Sequence, residues 1–143
     1  MILISIRGIA PRILIESRCS LIEEEHMSEN IIWVAEATIN PGRKADFEAV
    51  MKDLVAMTSK EKGALNYQWY ITEETGQVYI YERYADIDAA WAHLDTWAKG
   101  ADRFMDAANF ERLIVLSDLP ADMRKVLEGI NCEYRLPWGG FAK

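Results

Sequence analysis

Residues 65–84 read LNYQWYITEETGQVYIYERY, and this stretch predicts a β-hairpin. Apolar and polar residues alternate from Leu65 to Thr72, which is the pattern of a strand with one buried face. Glu73-Glu74-Thr75-Gly76 supplies a short loop, and Val78 to Tyr84 is again rich in β-branched and aromatic residues. Strands that are joined by such a short loop pair with each other in antiparallel orientation. The sequence therefore predicts a hairpin at the centre of the chain.

Strand and helix patterns lie on both sides of the hairpin. Residues 31–39 are apolar and rich in β-branched side chains, and Asn40-Pro41-Gly42 ends the predicted strand in a turn. Apolar residues spaced three and four apart then predict a helix from Lys44 to Lys60. After the hairpin, the same signals predict a helix capped by Asp86, a second helix capped by Thr96, a strand from Phe110 to Ser117, a helix from Ala121 to Glu128 closed by Gly129, and an irregular tail from Asn131 to Lys143.

The order of these elements predicts the fold class. A β-α-β-β-α-β order is that of the α+β ferredoxin-like split βαβ fold, an antiparallel sheet with helices on one face, here followed by a C-terminal helix and tail. The other face of the sheet would carry residues such as Trp69 or Tyr70, which are too apolar to face water. A second copy of the chain is the simplest cover, so we expect a homodimer.

Composition limits the classes of function. The chain has 143 residues, half of them hydrophobic, and 27% are charged, as in one ordinary globular domain. A net charge of −7 argues against nucleic acid as a partner, since phosphate binding needs clustered Lys and Arg. No apolar run approaches the ~20 residues that span a membrane. Cys19 and Cys132 are too few for a disulfide framework, so we expect a reducing, cytoplasmic setting.

The first 26 residues differ from the rest. Their isoleucine-rich run is interrupted by arginines and lacks the cleavage site of a signal peptide. Glu23-Glu24-Glu25 before Met27 resembles a ribosome-binding site translated in frame, so we expect residues 1–26 to be an N-terminal extension of translated upstream sequence. The alternative is that residues 2–6 form an edge strand. The predicted domain spans residues 27–143, with a core at 31–117 and a C-terminal extension at 118–143.

Five short segments, taken together with their order along the chain, resemble the antibiotic biosynthesis monooxygenase domain family. The resemblance covers residues 31 to about 117 and implies a dimeric α+β barrel with a pocket between sheet and helices in each subunit. It also implies a cofactor-independent monooxygenase that oxidises quinols or polycyclic phenols with molecular oxygen. Trp97 stands where many relatives have a second histidine. The segments are Val34-Ala35, Pro41-Gly42-Arg43, Gly63-Ala64-Leu65-Asn66-Tyr67, Tyr81-Glu82-Arg83-Tyr84 and Ala92-His93-Leu94.

His93 is the first candidate for a catalytic base. It is the only histidine after Met27, and a histidine titrates near neutrality. Taking about 100° per residue, it lies roughly 100° off the apolar stripe of its predicted helix, so we expect it at the pocket rim. There it would take a phenolic proton and create the electron-rich anion that oxygen attacks. The alternative is a structural histidine hydrogen-bonded to a strand or to the dimer partner.

Glu82 is the second candidate. It lies within a strand between Tyr81 and Arg83 and should point opposite to both. A carboxylate in a sheet is either in solvent, paired with an arginine, or buried with a raised pKa and available for proton transfer.

Aromatic residues are expected to line the pocket and to stack on a planar ring of the substrate. For any single residue, ordinary core packing is the alternative. The predicted substrate-binding residues are Trp33, Tyr67, Trp69, Tyr81, Trp91, Trp97 and Phe104.

The remaining motifs narrow the chemistry. The chain has no phosphate-binding glycine motif and no nucleophile elbow, and a single histidine after Met27 excludes a two-histidine metal site there. We therefore expect no metal and no cofactor, although heme-degrading enzymes share the fold. The leading hypothesis is a monooxygenase that acts on a phenolic or quinol-type aromatic molecule with oxygen. The alternatives are a non-catalytic binding module and a proton-transfer isomerase or cyclase.

Overall fold

The structure is a computed structural model that describes residues 29–143, so the predicted N-terminal extension lies outside the described residues. The described chain forms five strands and four helices. In order they are β1 (Ile31–Ile39), α1 (Lys44–Thr58), β2 (Ala64–Thr72), β3 (Gln77–Tyr84), α2 (Ile87–Ala98), α3 (Ala101–Ala107), β4 (Ala108–Val115), α4 (Ala121–Leu127) and β5 (Cys132–Tyr134).

The strands form one sheet in the order β2-β3-β1-β4-β5. β1 lies at the centre and pairs antiparallel with β3 and β4, so that Trp33 is opposite Glu82 on one side and Val115 on the other. β2 and β3 form the predicted hairpin, and the short β5 adds to β4 in parallel. The predicted α+β ferredoxin-like fold is therefore confirmed.

The helices bury one face of the sheet. Trp33 and Ala35 on β1 point into this layer, and so do Val78 and Ile80 on β3. Burial of apolar surface is worth roughly 25 cal/mol per Å², which makes this layer the main source of stability. The helices contribute Phe47, Val50, Leu54, Ala90, Phe104 and Ala107 to it.

The two helices predicted around Thr96 are both present, but the break between them lies further along the chain. Asp86 caps α2 as predicted, accepting a hydrogen bond from the Ala89 amide at 2.9 Å. α2 then continues through Thr96 to Ala98, so the prediction of Thr96 as a cap is wrong. The break falls at Gly100, where an added Cβ would lie 2.8 Å from a methyl carbon of Leu54. Glycine at this position lets α1 approach closely.

Three boundaries near the C-terminus also differ from the prediction. β4 spans Ala108–Val115, two residues earlier than the predicted strand. Glu128 rather than Gly129 is the C-cap of α4. The tail predicted to be mostly irregular also contains the short strand β5, whose three residues pair with β4. None of the described helices combines the length and the apolarity needed to cross a membrane.

The face of the sheet opposite the helices carries Tyr70 and Tyr79, which are 54% and 43% exposed. Trp69, the other candidate for this face, lies on the helix side instead. It is paired with Ile80 of β3 and packs against Phe47, with ring centroids 5.8 Å apart. Neighbouring residues of a strand point to opposite faces, so only one of the two candidates could be right.

The same open face holds an ion pair at the middle of the sheet. Glu36 is buried, and its carboxylate accepts a hydrogen bond from Arg112 Nε at 2.6 Å. Arg112 also donates to Glu133 of β5 at 3.1 Å. The open face therefore combines exposed aromatic rings with a charged centre.

We expect the substitution Gly63→Ala to destabilise the protein. Gly63 lies in the loop between α1 and β2, and an added Cβ would come 2.3 Å from the Ala89 Cβ on α2. Overpacking of this kind lowers the free energy of unfolding by about 1–3 kcal/mol, which urea denaturation would measure. Gly129→Ala is the control, because nothing lies within 4 Å of its added Cβ. Equal unfolding midpoints for the two variants would show that the loop is not held against α2.

Candidate active site

A cavity of about 250 Å³ lies between the sheet and the helices α2, α3 and α4. Its lining is mainly apolar and aromatic, but it includes Glu82 from β3 and His93 from α2. A second cavity, of about 280 Å³, lies between α1 and β2 and contains the exposed Lys44–Glu73 ion pair. Only the first cavity is lined by buried titratable groups, so it is the candidate active site.

The Glu82 carboxylate is buried and held by two donors. Its Oε2 accepts hydrogen bonds from Trp33 Nε1 at 2.5 Å and from the Tyr84 hydroxyl at 2.6 Å. Burial raises the pKa of Glu82 to about 7, against the opposing effect of these two hydrogen bonds. Glu82 lies on the face of β3 opposite to Tyr81 and Arg83, as the strand alternation predicts. At neutral pH it can both release and accept a proton.

His93 lies inside the protein rather than at the pocket rim. Its side chain is 2% exposed, so the prediction of a rim position is wrong. The reason is the continuity of α2: Ala90, His93 and Trp97 recur at three- and four-residue spacing and share the face that packs on the sheet. Burial also lowers the pKa of His93, an effect that the neighbouring Glu61 opposes.

The imidazole of His93 lies between two carboxylates. Nε2 is 3.4 Å from Oε2 of Glu82, and Nδ1 is 3.3 Å from Oε1 of Glu61. The Glu61 contact is a hydrogen bond, and the Glu82 contact becomes one when a proton lies between the two atoms, so the fully hydrogen-bonded arrangement contains two protons. The three groups hold these protons as an imidazolium between two carboxylates, or as a neutral imidazole with one carboxylic acid. The raised pKa of Glu82 and the lowered pKa of His93 favour the neutral imidazole.

The predicted aromatic residues divide into three groups. Trp33, Trp97 and Phe104 line the cavity. Tyr67 lies next to it, with its ring centroid 5.0 Å from that of His93, and Trp69 lines the other cavity. Trp69 is therefore misplaced by the prediction, and so are two further residues: Tyr81, which lies on the opposite face of the sheet, and Trp91, which packs against the core outside the cavity.

Three parts of the site have no counterpart in the sequence prediction. Glu61 lies in a charged loop that looks like the solvent-exposed end of a helix, and no local pattern marks it. Tyr84 could have been found, because it lies two residues after Glu82 and so shares its face of the strand. The third part is in the C-terminal extension, which closes the cavity with Val126, Leu127 and Ile130.

The C-terminal extension is anchored by specific contacts. Met123 of α4 is fully buried, and Arg124 donates to the Leu119 carbonyl at 3.0 Å and to Asp118 at 2.9 Å. The guanidinium of Arg124 also lies 4.2 Å from the ring centroid of Tyr134 in β5. The extension is therefore a fixed wall of the cavity. Among residues 29–143, no group of three or more His, Cys, Asp or Glu side chains is placed to hold a metal ion.

The sequence pattern of the antibiotic biosynthesis monooxygenase family matches residues 30–107, which is more than half of the chain. The chain belongs to this family. The antibiotic biosynthesis monooxygenase domain contributes Trp33, Glu82 and His93 to the cavity, whereas α4 lies beyond the matched residues. No curated protein sequence matches the chain.

Solved structures share the fold. MupZ from Pseudomonas fluorescens matches with a TM-score of 0.70 and 20% identity, over 80% of this chain and 95% of MupZ. Rv0793 from Mycobacterium tuberculosis matches with a TM-score of 0.56 and 18% identity, over 64% and 96% of the two chains. SnoaB from Streptomyces nogalater, a cofactor-independent oxygenase, matches with a TM-score of 0.53 and 16% identity, over 65% and 96%. The likeness to MupZ extends over more of this chain than the other two.

We expect the stability of the protein to report the raised pKa of Glu82. The unfolded glutamate ionises near its ordinary pKa of about 4.3, whereas the folded one ionises near 7. Between these values the unfolded state holds fewer protons, so folding becomes less favourable as pH rises, by roughly 1.4 kcal/mol per unit. Glu82→Gln lacks this titration. The free energy of unfolding of the wild type, measured in urea from pH 5 to 8, should fall relative to that of the variant up to about pH 7 and then run parallel.

The control for this experiment is Glu74→Gln, because Glu74 is exposed in the loop between β2 and β3. Its stability should follow that of the wild type at every pH. If Glu82→Gln also runs parallel to the wild type between pH 5 and 7, Glu82 has an ordinary pKa in the folded protein.

Proposed function

We propose that the protein is a cofactor-independent monooxygenase that oxidises a phenolic or quinol-type aromatic molecule with molecular oxygen. The observation that carries the proposal is a buried carboxylate with a pKa of about 7 at the wall of an aromatic cavity. Membership of the antibiotic biosynthesis monooxygenase family and the fold shared with the cofactor-independent oxygenase SnoaB support the reaction class.

Glu82 is the group that takes the substrate proton in this proposal. All three contacts of its carboxylate converge on Oε2, and no hydrogen bond within residues 29–143 engages Oε1. Both ring nitrogens of His93 face carboxylates instead, which leaves neither nitrogen directed at a substrate. His93 therefore supports Glu82 rather than acting as the base itself.

The chemistry needs only proton transfer from the protein. Removal of the phenolic proton by Glu82 gives a phenolate, which donates one electron to oxygen to form a phenoxyl radical and superoxide. The two combine at a ring carbon that carries hydrogen, and the resulting peroxide anion takes one proton from Glu82 to become a hydroperoxide. Loss of the hydrogen on that carbon together with hydroxide releases water and leaves a second carbonyl on the ring. One oxygen atom enters the product and the other leaves as water, so the substrate supplies all the electrons.

The cavity limits the size and the character of the substrate. Its volume of about 250 Å³ lies just below the range of small-molecule sites, which is ~300–1,000 Å³. Trp33, Trp97 and Phe104 present aromatic surface that stacks on a planar ring, and Leu113 and Leu127 exclude water. A substrate of one or two fused rings fits these walls.

A proton-transfer isomerase or cyclase is the second candidate function. The specific observation in its favour is the Glu82–His93 pair, which can remove a proton at one carbon of a substrate and return it at another. The two candidates differ in oxygen consumption. A binding protein without catalysis would consume neither oxygen nor substrate.

We expect the purified protein to consume oxygen with at least one member of a panel of quinols and naphthols. The rate should rise with pH through about 7, because only the ionised Glu82 accepts a proton. Glu82→Gln should lower kcat by ~10²–10⁴-fold, the usual contribution of a general base, while Glu74→Gln leaves it unchanged. An oxygen electrode measures both effects.

Two results would decide against parts of this proposal. Substrate turnover without oxygen uptake would identify the proton-transfer enzyme. Full oxygenase activity in Glu82→Gln would place the base at another residue.

We also propose that the protein is a homodimer whose subunits meet through the open face of the sheet. The exposed rings of Tyr70 and Tyr79 favour this, because large apolar surfaces on a sheet are normally covered. Light scattering at micromolar concentration should give twice the mass of one chain. Tyr79→Glu should give a larger monomer fraction than Glu74→Gln, and a wild-type mass of one chain would contradict the proposal.

A further inference from the structure

Glu61 lies on the side of His93 away from the cavity. Its Oε1 is 3.3 Å from Nδ1 of His93, while Glu82 and the cavity are on the Nε2 side. The Glu61 side chain is 12% exposed, compared with 2% for His93 and 8% for Glu82. The three residues therefore form a continuous polar path from the cavity wall to a partly exposed group.

A close contact holds Glu61 in this position. Gly63, two residues later in the same loop, lies against Ala89 of α2, where an added Cβ would come within 2.3 Å of the Ala89 Cβ. The carbonyl of Gly63 also accepts a hydrogen bond from the Ala85 amide at 2.8 Å. Ala89 and His93 are four residues apart and share one face of α2, so the contact that fixes Gly63 also brings Glu61 to His93.

The other groups that face His93 cannot exchange a proton with it. Tyr67 and Tyr84 have ring centroids 5.0 and 4.8 Å from the imidazole. Burial and the carboxylates of Glu82 and Glu61 raise the pKa of both tyrosines, so both stay protonated. This leaves the two carboxylates as the proton-exchanging partners of His93.

One carboxylate oxygen of Glu61 is free to pass a proton on to water. Oε2 is buried and has no hydrogen-bond partner within residues 29–143. A buried polar atom without a partner is costly, so this oxygen favours a bound water on the outer side of His93.

We propose that Glu61 connects the buried Glu82–His93 pair to solvent and exchanges its protons with water. This rests on the proposed function in taking Glu82 as the base. Glu82 gives a proton to Nε2, Nδ1 releases one to Oε1 of Glu61, and Glu61 releases it to water. A proton returns by the same path to convert the peroxide anion, formed when superoxide adds to the ring carbon, into the hydroperoxide, so the path carries one proton each way per turnover. Glu61 is a positioning and relay residue and does not touch the substrate.

This arrangement solves a problem created by the cavity. A substrate that fills an apolar cavity of about 250 Å³ separates Glu82 from water on that side. The path through His93 and Glu61 leaves from the opposite side of the imidazole. Glu82 can therefore lose or regain a proton while substrate or product still fills the cavity.

The first test measures proton exchange without relying on catalysis. In the full chain labelled with ¹⁵N-histidine, the ring protons of His93 exchange with water at a rate that NMR measures, and His26→Gln assigns the other histidine. Glu61→Gln keeps the shape of the side chain but cannot carry a proton. We expect it to slow the exchange by about tenfold or more, with Glu61→Asp intermediate and Glu74→Gln unchanged. An unchanged or faster exchange in Glu61→Gln overturns the proposal.

The second test uses oxygen uptake. Glu61→Gln should lower kcat and leave KM unchanged, with a loss below the ~10²-fold that marks a direct base. Added formate should restore the rate of Glu61→Ala, because a small carboxylate fits the space that the truncated side chain leaves. A Glu61→Ala rate that formate does not raise contradicts a relay.

The two tests separate this inference from the proposed function. If the wild type consumes no oxygen with any quinol or naphthol while Glu61→Gln slows the exchange at His93, the oxygenase proposal fails and the relay stands. If oxygen is consumed while the exchange is the same in Glu61→Gln, the relay fails and the oxygenase stands. Should Glu61→Gln fail to fold, Glu61→Asp carries both measurements.

Discussion

The burial of the Glu82 carboxylate between sheet and helices is the constraint around which the site is arranged. An ionised carboxylate in an apolar layer is unfavourable unless hydrogen bonds or a neighbouring charge compensate for the lost water. Trp33 lies directly opposite Glu82 in the pairing of β1 with β3, and its indole supplies one donor. Tyr84, two residues along β3, supplies the other. The strand register thus places acceptor and donors together before any helix contributes.

The helices add the groups that make this carboxylate chemically active. α2 brings His93 against Oε2, and the loop after α1 brings Glu61 against the other ring nitrogen. Donors to the carboxylate lower its pKa and burial raises it, so the value near 7 reflects a balance between opposing effects. α4 lies outside the residues that the family pattern matches. It closes the cavity that the Glu82 carboxylate lines.

Local patterns predicted the elements well and the site less well. The hairpin and the Asp86 cap could be read from neighbouring residues, because turn chemistry and capping are local. The burial of His93 could not be predicted while α2 was divided at Thr96, since Trp97 then fell outside its apolar stripe. Glu61 reaches His93 across 32 residues of sequence, through a glycine contact that no periodicity records. Misplacing Tyr81 had a simpler cause, because the strand alternation that turned Glu82 inwards already turned its neighbour outwards.

The central position of β1 affects how the protein is made. Trp33 of β1 contacts Glu82, which is synthesised 49 residues later. Glu36 of β1 contacts Arg112, which is synthesised 76 residues later. At roughly 5–20 residues per second, the ribosome exposes the apolar face of β1 for several seconds before either neighbouring strand exists. Pairings this distant also slow folding after release. The nascent chain therefore exposes an unpaired strand for several seconds, and the lining of the cavity is complete only after Ile130 has been synthesised.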